Sequence, residues 1–497
     1  MGELRPFPPG RYPLVVVGSG PGGLQTSYCL GRLGVNHAVI SADPAPGGMF
    51  QRFPIFQRLI SWTKPYAPAE RGSRAYEWYD WNSLLGEEES HQALVAGCMD
   101  GSVYFPSRSE MHEGLTLFAQ RAGIRVRYGC AWESTRHEEG LFTLGTSDGE
   151  YICETVVFAI GTTTPWRPKI PGLEDVPHYA EIKPLDAYRN KEVFIIGKRN
   201  SGFELADAML PVARRIILAS PTRARISVVE HAAIGARARY LQPYEDHVFG
   251  GGNVLLDVAI DRVERLPSSG YRVSASETSG SRKLALEVDE VIAATGFTTP
   301  LQDLPKLGVS IFSEGRLPAL TRFWESASVP GVYFAGSTTQ AAAGLNKYGI
   351  PSNSAAVQGF RYNARVLAQH IAEKRFGLKR SHTGIAPSGL VAHLLAEATR
   401  APELWNQRAY LASVVELSES GMSNGGIVPL AHFVDTAGPD AVAVAVETDL
   451  TGDIHPAIYL RRSGRVEEHL LGSDPLHSFE TIDHQRQLEA LLKAYVG

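Results

Sequence analysis

Apolar, β-branched residues run from Leu14 to Val17 and stop at Gly18-Ser19-Gly20-Pro21-Gly22-Gly23. A helical period follows from Leu24 to Leu33, Gly34 ends it, and Ala38 to Ile40 is apolar again. The pattern predicts strand, glycine turn, helix, strand, which is a βαβ unit. It recurs mid-chain: a strand over Val193 to Ile196, the turn Gly197-Lys198-Arg199-Asn200-Ser201-Gly202, a helix over Phe203 to Val212 and a strand over Arg215 to Leu218.

Three further strands are predicted, each ending in small residues. They are Thr155 to Ala159 before Gly161, Glu290 to Ala293 before Gly296, and Val332 to Phe334 before Gly336. Asn353 to Ala372 is predicted to be a helix that packs back on the first unit. Arg375 to Pro387 is polar and punctuated, and predicts a linker. Beyond it, Leu390 to Thr399 is helical in pattern, while Ala441 to Val446 and Ala457 to Leu460 have strand character. That segment carries no chemical motif.

Composition narrows the class. The chain has 497 residues, 44% of them hydrophobic and 20% charged, with a net charge of −5. That length predicts several domains, and the balance is that of a globular protein. Nucleic acid is not expected as a partner, since binders usually carry excess basic charge. No apolar run reaches the roughly 20 residues of a membrane span. The N-terminal stretch to Arg11 has no apolar signal region, and no retention signal stands at Lys493 to Gly497, so a cytoplasmic location is expected. The four cysteines, Cys29, Cys98, Cys130 and Cys153, form no tight pair and are expected to be reduced thiols. The histidines show no metal-ligating pair on a helix with a third ligand, so no metal site is expected.

The spacing Gly18-x-Gly20-x-x-Gly23 lies between a strand and a helix, the context in which it binds a dinucleotide. The first glycine permits the turn, the second lets the backbone approach a pyrophosphate, and the third lets helix and strand pack. The acid that grips the ribose is expected roughly 20 residues on. Ser41 is not acidic; Asp43 either takes that role or opens a turn with Pro44. In the second unit Gly197 and Gly202 are kept, with Asn200 and Ser201 between them, but Arg199 stands at the middle glycine position. Arg199 either clamps phosphate or weakens the site. No acid follows Leu218; Arg223 and Arg225 do, and arginine there accommodates the 2′-phosphate of NADP. The other reading makes them solvated surface charge. The aromatic stretch from Tyr76 to Asn82 either walls a flavin or substrate pocket or packs as core or interface. No G-x-S-x-G turn of a hydrolase is present.

The order of these turns, Gly18 to Gly23, Gly161, Gly197 to Gly202, Ala294-Thr295-Gly296 and Phe334-Ala335-Gly336, resembles the flavoproteins with two dinucleotide-binding domains. Within them it resembles the flavin-containing monooxygenase and N-hydroxylase branch, whose proline-rich hinge is similar to Arg167 to Gly172. Gly47-Gly48-Met49-Phe50, Trp81-Asn82-Ser83-Leu84-Leu85 and Gly359 to Arg365 are similar to FAD-dependent oxidoreductase domain-containing proteins. That branch's F-x-G-x-x-x-H stretch has no full counterpart: His178 follows Gly172 six residues on, without the phenylalanine.

The resemblance implies an α/β fold. An FAD-binding Rossmann-type domain over 1–188 and 300–375 would carry an inserted NAD(P)H-binding Rossmann-type domain over 189–299, with a C-terminal α+β segment over 388–497. It implies an enzyme, an FAD-dependent oxidoreductase using NADPH and O₂ to oxygenate a small-molecule substrate at nitrogen or sulfur. The alternatives are an NAD(P)H dehydrogenase or reductase with a non-oxygen acceptor, and a flavin-bearing interaction protein. Gly18, Gly20, Gly23, Asp43, Gly161 and Gly336 are the expected FAD-side residues. Gly197, Arg199, Asn200, Ser201, Gly202 and Arg223 are the expected nucleotide-side residues. No catalytic side chain is named by the pattern, and self-association as a homo-oligomer is left open.

Overall fold

A computed structural model describes residues 5–52, 58–227, 235–342, 344–345, 347, 352–419 and 421–496. The first four residues of the N-terminal stretch lie outside the described residues. The chain divides into two compact units, residues 1–48, 61–161 and 300–497, and residues 49–60 and 162–299.

In chain order the first unit begins with β1 (Leu14–Val17), α1 (Pro21–Arg32), β2 (Ala38–Ser41), β3 (Arg127–Tyr128) and β4 (Thr155–Phe158). The second unit carries β5 (Glu192–Ile196), α2 (Asn200–Met209), β6 (Arg215–Ser220), β7 (Val254–Arg265), β8 (Tyr271–Glu277), β9 (Lys283–Val288) and β10 (Glu290–Ala293). The chain then returns to the first unit with β11 (Val332–Phe334) and α3 (Val357–Phe376). The C-terminal elements are α4 (Leu390–Arg400), β12 (Leu411–Ser418), β13 (Gly421–Pro429), β14 (Ala441–Thr448), β15 (Ile454–Arg462), β16 (Arg465–Leu470) and α5 (Ile482–Val496).

The first sheet runs β11-β4-β1-β2-β3, all parallel. Parallel strands bury both faces and are therefore apolar throughout: β1, β2, β4 and β11 are buried at every position. One face packs with Trp132, Phe142 and Leu144 of a mixed side sheet, where Trp132 lies 4.7 Å from Phe158. The other face meets α1, which in turn packs along α3.

The second unit is built the same way. β10, β5, β6 and β7 are parallel, and β7-β8-β9 continue as an antiparallel meander. The fold is the α/β one expected, with a Rossmann-type arrangement in each unit. A third sheet, Gly384–Ile385, β13, β12, β14, β15 and β16, forms the C-terminal α+β part. The stretch expected to be a linker carries regular structure: α3 continues to Phe376, and Gly384–Ile385 pairs with Ser423 and Met422. The pairing gives this polar stretch a partner for its backbone that local sequence does not reveal.

The C-terminal part is fastened onto the rest of the first unit by polar and aromatic contacts. Trp78 lies 5.1 Å from Trp405, and its indole N–H donates to the Arg400 carbonyl at 3.0 Å. Arg74 bonds both Glu397 at 2.7 Å and Glu403 at 2.9 Å. Gln407, fully buried, donates to Ser354 at 2.9 Å and to Asn363 at 2.7 Å. For Trp78 in the aromatic stretch, the interface reading holds.

Candidate functional site

The first glycine turn is shaped by close backbone approaches. At Gly18 the backbone is left-handed (φ +113°), and a Cβ would meet the Ala159 carbonyl oxygen at 2.5 Å. A Cβ on Gly23 would lie 2.0 Å from the Gly18 carbonyl oxygen, so α1 sits directly against the turn. Gly20 is different: a Cβ there would meet only the Gly48 Cα, at 3.9 Å. Bareness at Gly20 is thus not demanded by the protein's own packing, as expected where backbone must approach a pyrophosphate. Gly20 is also the N-cap of α1 and gives no side-chain cap, so the helix offers its first-turn N–H groups to an anion.

Two segments remote in sequence complete the cradle. The Gly47 N–H donates to the Ser19 carbonyl at 3.0 Å, laying the 44–48 loop on the turn. Gly336, at the end of β11, sits against Gly22, where an added Cβ would meet the Gly336 Cα at 2.4 Å. Asp43 is buried at the end of β2, where the Ser41 hydroxyl, itself accepting from Ser19 at 2.8 Å, lies 3.4 Å from its carboxylate. Beside it, burial and then the Asp43 charge push the Tyr128 phenol up to about 12, so it is a neutral hydroxyl at physiological pH. Gly161, left-handed at φ +68°, follows Ala159 by two residues. The turn therefore gathers Gly18, Gly20, Gly23, Asp43 and Gly336. Gly22 and Gly48 join them, although spacing within the motif gives Gly22 no role of its own.

The second turn repeats this geometry. A Cβ on Gly197 (φ +131°) would meet the Ala294 carbonyl oxygen at 2.3 Å, and one on Gly202 the Gly197 carbonyl oxygen at 2.1 Å. Arg199 takes the N-cap place that Gly20 has in the first unit, in extended backbone (φ −114°, ψ −167°) and exposed to solvent. Asn200 faces the protein: its amide oxygen accepts from the Arg237 N–H at 2.8 Å and its amide nitrogen donates to the Gly235 carbonyl at 3.3 Å. Ser201 is half-buried in the first turn of α2. Arg223 lies past the end of β6, its side chain 90% exposed and 3.8 Å from Asp257.

Within α2, Glu204 is buried and accepts from the Tyr179 phenol at 2.6 Å and the Tyr240 phenol at 3.3 Å. Burial raises its carboxyl to about 7, against the lowering effect of those hydrogen bonds. His178 is a structural cap. Its Nδ1 accepts from the Ala180 N–H at 3.2 Å, its other ring nitrogen bonds the Gly296 carbonyl at 2.9 Å, and burial lowers its pKa.

All four cysteines are free, and Cys29, Cys130 and Cys153 are buried. Burial pushes every thiol up, Cys98 to about 11 and Cys153 to about 12. A reactive thiolate needs the opposite shift. Among the described residues no histidine, cysteine or carboxylate group is clustered to hold a metal, and no helix is long and apolar enough to cross a membrane.

Two glycine cradles of one design, each on a parallel sheet, define a flavoprotein with two dinucleotide-binding folds. A family profile described as pyridine nucleotide-disulphide oxidoreductase matches residues 15–336, and the chain belongs to that family. That family is one of flavin-dependent oxidoreductases, and it supports FAD and NADPH as the cofactors. The FAD-dependent oxidoreductase domain-containing protein 2 of Danio rerio is 26% identical, with 82% of this chain aligned to 65% of that protein. The chain thus spans just under two thirds of the length of that relative. A ferredoxin–NADP reductase of Salinispora arenicola is 27% identical, over 69% of this chain and 93% of its own. A flavin-containing monooxygenase from Stenotrophomonas maltophilia has the same fold, with a TM-score of 0.56, 21% identity, and coverage of 73% of this chain and 98% of its own.

Proposed function

We propose that this protein is an NADPH- and O₂-dependent monooxygenase that oxygenates nitrogen or sulfur in a small metabolite. The observation that carries the reading is the doubled cradle, one for FAD at Gly18, Gly20 and Gly23 and one for NADPH at Gly197 and Gly202. Bound FAD supplies the two-electron acceptor for NADPH and, once reduced, reacts with O₂. The protein binds and orients. The N-terminus of α1 and the bare backbone at Gly20 take the FAD pyrophosphate, and Asp43 takes the ribose. The N-terminus of α2 and the Arg199 guanidinium take the nicotinamide dinucleotide's phosphates. Arg223 favours NADPH over NADH through a charge-assisted contact with the 2′-phosphate.

Cysteines whose thiols are pushed up argue against a protein dithiol as the acceptor of the flavin's electrons and leave oxygen as the acceptor in this reading. Four reduced thiols also suit the cytoplasm, where we place the protein. The likeness to a ferredoxin–NADP reductase favours a second reading, a reductase with a non-oxygen acceptor. The two separate on one measurement: NADPH oxidation is expected to consume O₂ with a substrate amine or thioether and to yield an oxygenated product by mass spectrometry. NADPH oxidation that proceeds only with an added electron acceptor establishes the reductase instead.

A further inference from the structure

Three charged side chains meet at the carboxyl end of the parallel strands in the second unit. Asp257 on β7 pairs in register with Ser220, the last residue of β6. Lys198, the residue after the first glycine of the turn, has a side chain only 2% exposed. Its ammonium donates to the Leu256 carbonyl at 2.7 Å and to the Asp257 carboxylate. The other Asp257 oxygen lies 3.8 Å from Arg223 Nε, and Asp257 remains 41% exposed.

This is the place where dinucleotide folds choose between NAD and NADP. An acid at the end of the second strand bonds the ribose 2′-hydroxyl, and an arginine accommodates a 2′-phosphate. Sequence around Ser220 offers no acid, but the neighbouring strand brings one alongside. An unneutralised carboxylate beside a 2′-phosphate repels it. A lysine buried this deeply requires an ionic partner, because an unpaired buried charge is costly. The ion pair therefore stays closed, and Asp257 is held from below with its charge offset. Arg223 is loosely held by comparison, exposed and at a long distance.

We infer that Lys198 and Asp257 are specificity-determining residues, in which Lys198 cancels the Asp257 charge so that Arg223 is left to the 2′-phosphate of NADPH. This rests on the reading that Arg223 faces that phosphate. Two probes that differ only in the 2′-phosphate, adenosine 2′,5′-bisphosphate and 5′-AMP, separate the claims by calorimetric titration of the FAD-loaded protein. The parent is expected to bind the bisphosphate more tightly. Lys198→Met weakens the bisphosphate on the order of tenfold and leaves 5′-AMP unchanged, and adding Asp257→Asn restores it. Asp257→Asn alone, a near-isosteric change that spares the packing, binds the bisphosphate as tightly as the parent or more so. A parent that does not distinguish the probes overturns the NADPH preference itself. If the parent does distinguish them, the inference is overturned by Lys198→Met keeping the full preference, or by Asp257→Asn losing it.

Discussion

Single glycines in the first cradle have different physical reasons to be bare, and substitution separates them. At Gly22 an added methyl collides with the Gly336 backbone, and neither partner is a side-chain end that can swing away. Gly22→Ala is expected to lower stability by about 1–3 kcal/mol, the usual cost of overpacking, read as a drop in the thermal midpoint. At Gly20 an added Cβ meets only ordinary contact, so Gly20→Val should melt near the flavin-free parent while losing the flavin absorbance. A yellow Gly20→Val protein would contradict the pyrophosphate assignment. Glu204 sets a pH dependence. Its carboxyl is raised to about 7 in the folded unit, so the native state holds a proton that the unfolded chain releases near its ordinary value. The stabilisation is full below that ordinary value and is lost as pH rises to about 7. The urea midpoint is expected to fall between pH 5 and pH 8 for the parent, and to stay level for Glu204→Gln. An equal fall in both places the titration on another group.

Elements carry the next level of constraint. The C-terminal sheet is bound to the first unit through α4 and the residues before β12. These meet the 73–81 stretch at Trp78 and Arg74, and the segment ahead of and within α3 at Ser354 and Asn363. Those segments follow the same turns that build the first cradle, so the C-terminal part is a structural support of that unit rather than an appendage. Trp405→Ala removes the ring facing Trp78 and is expected to cost roughly 3 kcal/mol, seen in chemical denaturation followed by flavin release. Loss of the β12–β16 sheet with flavin binding and its denaturation midpoint unchanged would disprove this coupling. The arrangement was not legible in the sequence, where the stretch from Tyr76 to Trp81 could equally have walled a pocket. A dense aromatic run states that something covers it, and only the partner's position states what.

For the whole molecule, the state of the thiols bears on whether a protein dithiol can relay electrons. A disulfide relay needs two sulfurs close enough to bridge and one of them activated. Here burial pushes all four thiols up. Replacing Cys29, Cys130 and Cys153 by alanine and Cys98 by serine is therefore expected to leave NADPH-driven bleaching and aerobic recovery of the flavin unchanged, followed by stopped-flow absorbance. A single cysteine change that keeps FAD bound yet stops turnover would establish a thiol-redox enzyme instead.

The sequence by itself determined the two βαβ units, their glycine turns and their strands. These follow from short-range rules: apolar strands buried on both faces, a helical period, and glycine where backbone must pass close to backbone. It thereby determined the family and the cofactor class. Tertiary structure alone decided which distant residues join each turn. Gly336 reaches the first cradle because the parallel sheet sets the end of β11 near the end of β1, and Gly48 because the loop after β2 folds back onto the turn through the Gly47 N–H to Ser19 bond. Asp257 reaches the second because β7 pairs alongside β6 with Asp257 in register with Ser220, so the acid absent after β6 arrives from β7. The chain separates these residues from their glycine turns by anything from about 25 residues to several hundred, and no periodicity spans such distances. Their meeting is fixed by strand order and register, which the local pattern of hydrophobic and polar positions does not encode.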